Sequence, residues 1–270
     1  MVRMLYQIPV LILTFSLLAA GQPPKAETER RGAIAYNQGS EAFSAGDYTR
    51  SIPLLLAADS LIGESEQVDR LKLRFTIGLA YLKSSQPSRA LEFFEWVAGQ
   101  DSSYPYIHLQ LAAGARQAGQ PAKALEHYRA GLAGAPEAQK PVILAHIADL
   151  LEKRRDLQGA LKAYDQAILL NQAAEYHFRR GLLYNRLADP LDHAEDETYD
   201  FEEAVTSGLL TEEILLKATG LREKALADFR RAAEDGKLAE RAARMVERTE
   251  ILIRNNQTVI SEIHYLRENK

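Results

Sequence analysis

The sequence predicts an all-α protein, an α-solenoid in which short helical hairpins stack on one another. Residues 109–136 carry apolar or small side chains on one face of each of two helical stretches. Between these stretches, Gly119-Gln120-Pro121 ends one helix and starts the next, because glycine suits a left-handed cap and proline suits a first helical turn. A hairpin of this size cannot bury its own apolar face, so it must stack against similar hairpins.

Similar hairpins do recur along the chain. The second helix of each has a small residue, an aliphatic residue, and then an aromatic residue three positions later. The pattern occurs as Ala90-Leu91 with Phe94, Ala124-Leu125 with Tyr128, Ala160-Leu161 with Tyr164, and Ala225-Leu226 with Phe229, with a weaker copy at Ser51-Ile52 with Leu55. From Ser51 to Ala160 the small residues recur at intervals of 39, 34 and 36 residues. Further small residues stand twelve positions earlier, in the first helices: Gly39, Gly78, Ala112 and Ala148. Small residues in both helices predict a close crossing within each hairpin.

In these positions the chain resembles the tetratricopeptide-repeat family, whose helix–turn–helix unit is about 34 residues long. The best match is residues 77–94, where Gly78, Tyr81, Ala90 and Phe94 stand at the family's positions. The resemblance implies a right-handed superhelix of hairpins. It also implies that the first helices line a concave groove in which partner peptides lie.

The N-terminal residues 1–21 have the pattern of a signal peptide. Arg3 is followed by a largely apolar stretch of 13 residues, 8–20, and by a cleavage site before Gly21. This stretch is short for a membrane span, which needs about 20 residues. An uncleaved anchor and a buried core helix are the alternatives. The pattern predicts an exported protein, periplasmic or secreted, of bacterial origin. A lipid anchor is not supported, because the run 18–21 lacks the cysteine of a lipoprotein signal.

After a charged linker at 22–31, the predicted solenoid covers residues 32–236 in five to six hairpins. The first four hairpins are regular. The fifth begins with Gly181 and Tyr184, is interrupted by an acidic insertion at 189–200, and resumes with a second helix at 199–205. A degenerate sixth hairpin follows, with a first helix near 210–218, a turn at Gly220 and a second helix at 225–232. Residues 237–270 are predicted to form one long C-terminal helix.

Composition and motifs argue against several functions. The net charge of −4 and the pI of about 5.9 indicate no nucleic-acid partner. The absence of cysteine excludes thiolate chemistry and cysteine-based zinc sites. The six histidines show no metal-binding spacing, and no hydrolase, phosphate-loop or dinucleotide motif occurs. The acidic insertion could hold a cation, but a solvated loop is the preferred interpretation. The sequence therefore predicts no enzyme, no cofactor and no metal.

The family resemblance places seven candidate partner-binding residues on the groove. Four form an apolar N-terminal part and three form a basic C-terminal part: Tyr36, Phe43, Phe75 and Leu82, then Arg116, Arg179 and Arg186. Exposed aromatic residues of this kind mark binding surfaces. The alternative is that these side chains pack against neighbouring helices. Chaperone-binding members of the family use Lys and Asn in the first unit, where this chain has Tyr36 and Ser40, so that activity is not implied.

The C-terminal helix carries a seven-residue repeat of two interleaved sets: Leu238, Met245, Leu252, Val259 and Leu266, with Ala242, Thr249, Asn256 and Ile263. Such a seam can pair two chains. Val246, Ile253 and Ile260 widen the apolar stripe, which favours a cap on the chain's own solenoid and hence a monomer over a homodimer.

These observations predict a non-enzymatic scaffold or adaptor of the bacterial cell envelope that binds a protein or peptide. A structural subunit of an envelope assembly or secretion complex, attached through the C-terminal helix, is the alternative. An enzyme acting on peptidoglycan or sugars through the acidic segment is a third and weaker possibility.

Overall fold

A computed structural model describes residues 25–62, 69–192 and 201–268, and within these ranges every regular element is a helix. The predicted signal peptide lies outside the described residues. The helices are α1 Lys25–Ser44, α2 Tyr48–Ile62, α3 Arg70–Lys83, α4 Pro87–Gln100, α5 Ile107–Gln117, α6 Pro121–Leu132, α7 Lys140–Lys153, α8 Leu157–Leu170, α9 Ala174–Asp192, α10 Phe201–Thr206, α11 Glu212–Ala232 and α12 Ala239–Glu268.

The chain divides into two compact units, with the boundary between Tyr104 and Pro105. In the N-terminal unit, the hairpin of α1 and α2 packs against the hairpin of α3 and α4 through α2 and α3. In the C-terminal unit, three hairpins stack in sequence: α5 with α6, α7 with α8, and α9 with α11. The last helix, α12, packs along α11. Within each unit the apolar faces are thus covered by the next hairpin, as a repeat protein requires.

The close helix crossings of the first two hairpins have a small residue opposite a bulky one. A Cβ atom added to Gly78 would lie 2.6 Å from the ring of Phe94. At Gly39 the same atom would lie 2.8 Å from the side chain of Leu55. Ala112 is fully buried in its hairpin. The phased small residues of the sequence therefore mark the crossings, because only a residue with little or no side chain lets the facing helix approach so closely.

The turns of four hairpins use one backbone conformation. Gly46 and Gly119 have φ of 78° and 71°, and the equivalent residues Ser85 and Arg155 have φ of 60° and 64°. A residue in this left-handed region ends the first helix of each hairpin. The turn geometry is therefore shared between hairpins even where glycine is not used.

The predicted linker at 22–31 is wrong from residue 25 onward, because α1 begins there. The charges that suggested a linker form pairs along this helix, as between Glu27 Oε2 and Arg30 Nε at 3.1 Å. Gly32 packs against Ile62, which anchors the first turns of α1 on α2. The helix therefore extends well before the first predicted hairpin.

The predicted division into fifth and sixth hairpins is also wrong. α11 runs without interruption through Gly220, where a turn was predicted, and it pairs with α9 as the second helix of the fifth hairpin. A Cβ atom on Gly181 of α9 would lie 2.7 Å from the ring of Phe229 of α11, the same crossing as in the earlier hairpins. α10 lies in the connection between them. A mid-helix glycine costs only about 1 kcal/mol, which the buried face of α11 outweighs.

The acidic insertion is partly helical rather than a solvated loop. Asp189 and Asp192 lie in the last turn of α9, and both accept hydrogen bonds from Arg222 of α11. The side chains of Asp192 and Arg222 are fully buried. A buried carboxylate needs a paired cation, and Arg222 provides it with two parallel hydrogen bonds of 2.8 and 2.9 Å. Residues 193–200 of the insertion lie outside the described residues.

The long C-terminal helix is present as α12, and one of its two predicted sets faces its own chain. Ala242, Thr249, Asn256 and Ile263 are its buried residues, one every seven positions. Thr249 accepts a hydrogen bond from Asn185 Nδ2 of α9 at 3.0 Å. Asn256 Nδ2 donates to Asp192 Oδ2 at 2.9 Å. The two polar residues that weaken the apolar seam are therefore hydrogen-bonded within the C-terminal unit.

Candidate functional site

The four apolar candidates lie in the N-terminal unit and are mostly involved in packing. Phe75 contacts both Phe94 and Tyr104, with ring centroids 5.6 and 5.1 Å away. Phe43 packs edge-on against Tyr48 at 5.6 Å. Phe75 and Phe43 therefore use their rings for packing within their hairpins and, for Phe75, against the connection after α4.

Leu82 and Tyr36 complete this set. Leu82 is only 8% exposed, so it is a core residue and offers little surface to a partner, which corrects its assignment to the groove. Tyr36 is half-buried. Burial raises the pKa of the Tyr104 hydroxyl, and the nearby Asp69 and Tyr36 raise it further. Partner binding by these apolar candidates stays a prediction.

The three basic candidates lie in the C-terminal unit, where two of them pair with α7. Arg179 Nη1 donates to Asp149 Oδ1 at 2.8 Å, and its Nε donates to Glu175 of its own helix at 2.6 Å. Arg186, two turns further along α9, pairs with Glu152. Both arginine side chains keep about half their surface exposed, at 43% and 52%. The α7–α9 face therefore presents guanidinium groups that are fixed in position and still accessible.

The buried Tyr164 helps to fix the position of Asp149, the carboxylate that pairs with Arg179. The Tyr164 hydroxyl donates to Asp149 Oδ1 at 2.6 Å, so one carboxylate oxygen holds both Tyr164 and Arg179. Burial and this carboxylate raise the pKa of Tyr164, which keeps the hydroxyl protonated and able to donate. Burial lowers the pKa of the Arg179 guanidinium, but the hydrogen bond to Glu175 and the charge of Asp149 together outweigh burial. The net effect is a raised pKa.

Arg116, the third basic candidate, lies on α5 beside an aromatic pair. Burial raises the pKa of Tyr128, and the charge and hydrogen bond of Arg116 oppose this rise only in part. His146 of α7 packs against Tyr128 in a tilted arrangement, with ring centroids 5.3 Å apart. Burial lowers the pKa of His146, and the charge of Arg116 lowers it further. His146 therefore favours its neutral form.

A cleft of about 510 Å³ opens between α7 and α9. It is lined by charged residues only: Asp149, Glu152, Lys153, Arg155, Arg179 and Arg186. These are four cations and two carboxylates, so the lining carries an excess of two positive charges. Glu175, just beside it, reduces this excess to one. Within the part of the chain that the structure describes, Lys153 and Arg155 have no carboxylate partner, unlike Arg179 and Arg186.

Arg155 was missed by the sequence analysis because it lies in the turn after α7, outside the first helices that the family resemblance places on the groove. Its left-handed backbone and its place two residues after Lys153 bring it to the same cleft. The signal that could have found it is the cationic run 153–155 at the end of a helix.

The histidines that the structure describes are structural or exposed. His177 is buried, with Nδ1 2.8 Å from Asp228 Oδ1. His108 and His127 stack on each other with centroids 5.6 Å apart. His193 lies outside the described residues. Over residues 25–62, 69–192 and 201–268, no three His, Asp or Glu residues are grouped so that they could hold a metal ion.

None of the helices in these described ranges is both long enough and apolar enough to cross a bilayer.

Comparison with known proteins supports the fold. No protein-family model and no curated protein sequence matches the chain. Solved structures do match. MamA from Desulfovibrio magneticus RS-1 is 18% identical, with a TM-score of 0.52 over 59% of this chain and 86% of that chain. MamA AMB-1 is 16% identical, with a TM-score of 0.56 over 78% and 97%.

A tetratricopeptide repeat protein from Parabacteroides merdae ATCC 43184 is 16% identical, with a TM-score of 0.50 over 82% of this chain and 99% of that chain. At these identities the likeness concerns the fold. The chain therefore has the all-α, helix–turn–helix fold of the tetratricopeptide-repeat proteins, and the resemblance predicted from its small residues and turns is confirmed.

Proposed function

We propose that the protein is a non-enzymatic scaffold that binds an acidic segment of a partner protein in the α7–α9 cleft. The observation that carries the proposal is the charge of that cleft: four cations face two carboxylates in a chain whose net charge is −4. Positive charge concentrated in a concave surface attracts and orients an acidic partner.

The cleft is organised for binding before a partner arrives. Arg179 is held by Asp149 and Glu175, so it loses little side-chain freedom when it binds a further carboxylate. Lys153 and Arg155 have no carboxylate partner among the described residues and are exposed, so they can form new ion pairs with the partner. A guanidinium group suits a carboxylate because it can donate two parallel hydrogen bonds.

We propose further that the protein is exported to the bacterial periplasm or beyond and that it acts there as a monomer. Export rests on the apolar stretch 8–20 and the small residues before Gly21. The monomeric state is inferred from α12, because the buried residues of this helix are already packed against its own chain. A structural subunit attached through this helix would have to use its other faces.

The test compares two double charge reversals. Lys153→Glu with Arg155→Glu reverses the two cations of the cleft that have no carboxylate partner among the described residues. Lys123→Glu with Lys162→Glu makes the same change in net charge at exposed positions on α6 and α8. The partner is first captured from native cell extract on the full chain, identified and purified. Its dissociation constant for each variant is then measured at several salt concentrations.

We expect the cleft reversal to weaken binding by at least about ten-fold and to reduce its salt dependence, while the control reversal has little effect. Equal loss in both variants would mean that only net charge matters. Unchanged binding in the cleft variant would place the partner elsewhere on the protein.

A further inference from the structure

A second cleft in the C-terminal unit contains polar atoms that no described residue satisfies. It has a volume of about 250 Å³ and lies between α9, α11 and α12, with Glu152 of α7 at its edge. Arg222 and Asn185 line it, and each has a buried polar atom, Arg222 Nη1 and Asn185 Oδ1, without a hydrogen-bond partner among the residues that the structure describes. The Arg222 side chain is fully buried, and Asn185 is 7% exposed.

These two atoms are oriented by the bonds that their side chains do make. Arg222 uses Nε and Nη2 to bind Asp192 and Asp189, which leaves Nη1 as a buried donor without a partner among the described residues. Asn185 uses Nδ2 to bind Thr249, which leaves Oδ1 as an acceptor. A buried donor and a buried acceptor without partners each lose free energy that a suitable ligand would restore.

Over the residues that the structure describes, the cleft is balanced in charge. Arg186, Arg222 and Arg248 contribute three positive charges to the lining. Glu152 and Asp189 on the lining, together with the Asp192 carboxylate bound to Arg222, contribute three negative charges. Charge balance favours a neutral ligand, since an added ion would leave one sign unpaired in a partly buried site.

The remaining lining is apolar. Leu182, Met245 and Leu252 face the cleft beside the polar atoms. A single ordered water occupies roughly 30 Å³ and gains nothing from an apolar wall, so one water does not fill this space. The lining suits a ligand that has a short aliphatic part beside its polar group.

From these observations we infer that the cleft binds a neutral amide with a short aliphatic stem. The amide oxygen accepts a hydrogen bond from Arg222 Nη1, the amide N–H donates to Asn185 Oδ1, and the stem packs on Leu182, Met245 and Leu252. A free small-molecule amide and a glutaminyl side chain of a polypeptide share this chemistry. Amide binding here uses other polar atoms than the acidic partner proposed for the α7–α9 cleft, although Glu152 and Arg186 line both clefts.

The test uses three ligands with the same aliphatic stem and different head groups: butyramide, butyrate and butylamine. Binding to the full chain is followed by nuclear magnetic resonance, through the side-chain amide signals of Asn185. We expect saturable binding of butyramide that is about ten-fold tighter than that of either ion, as expected when a ligand satisfies buried polar groups.

Two hexapeptides that differ only in a central glutamine or glutamate then distinguish a polypeptide ligand from a free small-molecule amide. Tighter binding of the glutamine peptide than of butyramide identifies a polypeptide source, and equal binding identifies a free amide.

Two variants test whether the binding is at this cleft. Met245→Trp fills the cleft without changing its polar atoms and should abolish butyramide binding, whereas Met245→Leu should preserve it. Asn185→Leu should also abolish it, with circular dichroism to confirm the fold. A preference for butyrate would show that Asn185 presents its nitrogen to the cleft and would overturn the assignment. Absence of binding by all three ligands would show that ordered water alone satisfies these atoms, and it would overturn the proposal as well.

Discussion

Ser85 and Arg155 adopt the left-handed conformation that Gly46 and Gly119 adopt in the equivalent turns. For a residue with a Cβ atom this conformation costs roughly 1–2 kcal/mol, because Cβ approaches the following carbonyl oxygen. The turn is nevertheless formed, since the helices on both sides are fixed by their buried faces. These two residues are thus sites of local strain that glycine would relieve.

We expect Ser85→Gly to raise the free energy of unfolding by about 0.5–1 kcal/mol, because relief of the strained backbone exceeds the added freedom of the unfolded chain. Ser88→Gly is the matched control. Ser88 is exposed in the first turn of α4, where glycine should lower the free energy of unfolding by about 0.5–1 kcal/mol. Urea unfolding of both variants measures the difference. The same sign for both changes would contradict the turn geometry.

Asn256 shows how a polar residue contributes to a buried helix face. Its Nδ2 donates to Asp192 Oδ2, the carboxylate oxygen that also accepts from Arg222 Nε. We expect Asn256→Ala to lower the free energy of unfolding by about 1–3 kcal/mol, because a buried carboxylate loses one of its donors. Asn255→Ala changes the exposed neighbour and should have an effect within about 0.5 kcal/mol. Thermal or urea unfolding that gives equal losses would show that Asn256 is not part of this buried network.

At the scale of the helices, the fifth hairpin shows that pairing is decided by fit between surfaces. α9 finds its partner in α11 because Gly181 accommodates the ring of Phe229, although many residues separate the two helices in sequence. The intervening α10 packs with Leu210, Leu215 and Ile263 in a separate apolar cluster through Ala204. The hairpin therefore tolerates a long insertion in its connection.

Two glycine substitutions test this pairing. Gly220 lies inside α11, and a methyl group added there would meet no atom within 4 Å, so Gly220→Ala should raise the free energy of unfolding by about 0.5–1 kcal/mol. Gly181→Ala places a methyl group against the Phe229 ring and should lower it by about 1–3 kcal/mol. Denaturant unfolding measures both. A loss of stability from Gly220→Ala would contradict a continuous α11 and would support the turn that the sequence predicted at this position.

At the scale of the whole molecule, two features make predictions about the protein in the cell. The buried residues of α12 predict a monomer, and the apolar N-terminal stretch predicts a chain that has been exported and cleaved. We expect native mass spectrometry of the protein from the bacterial periplasm to give the mass of one chain that begins near Gly21 or Gln22. Leu252→Asp should lower the melting temperature and leave the protein a single chain, because α12 packs on its own chain. A mass that includes Met1, or twice the mass of one chain, would contradict export with cleavage or the monomer, respectively.

Local patterns in the sequence were enough to predict most helices and the tetratricopeptide-repeat fold. The small residues at 39, 78, 112 and 148 and the turns after them act over one hairpin, and such short-range packing leaves a readable period in the sequence. The position of Arg179 and Arg186 in a first helix likewise predicted two residues that line the α7–α9 cleft, whereas partner binding by these residues and by Arg116 stays a prediction. The extent of α1 was missed because paired charges in a helix resemble those of a linker.

The tertiary structure alone decided the features that depend on distant residues. It pairs α9 with α11, buries Leu82, and places Asp192, Arg222 and Asn256 in one network across three helices. In the sequence, Asp192 is one of several acids in an insertion, and Asn256 weakens an apolar seam. Their roles follow from desolvation, since a charge or an amide removed from water must find its partner wherever the fold brings one. Periodicity determines which face of a helix is buried, but only the packed structure determines what that face meets.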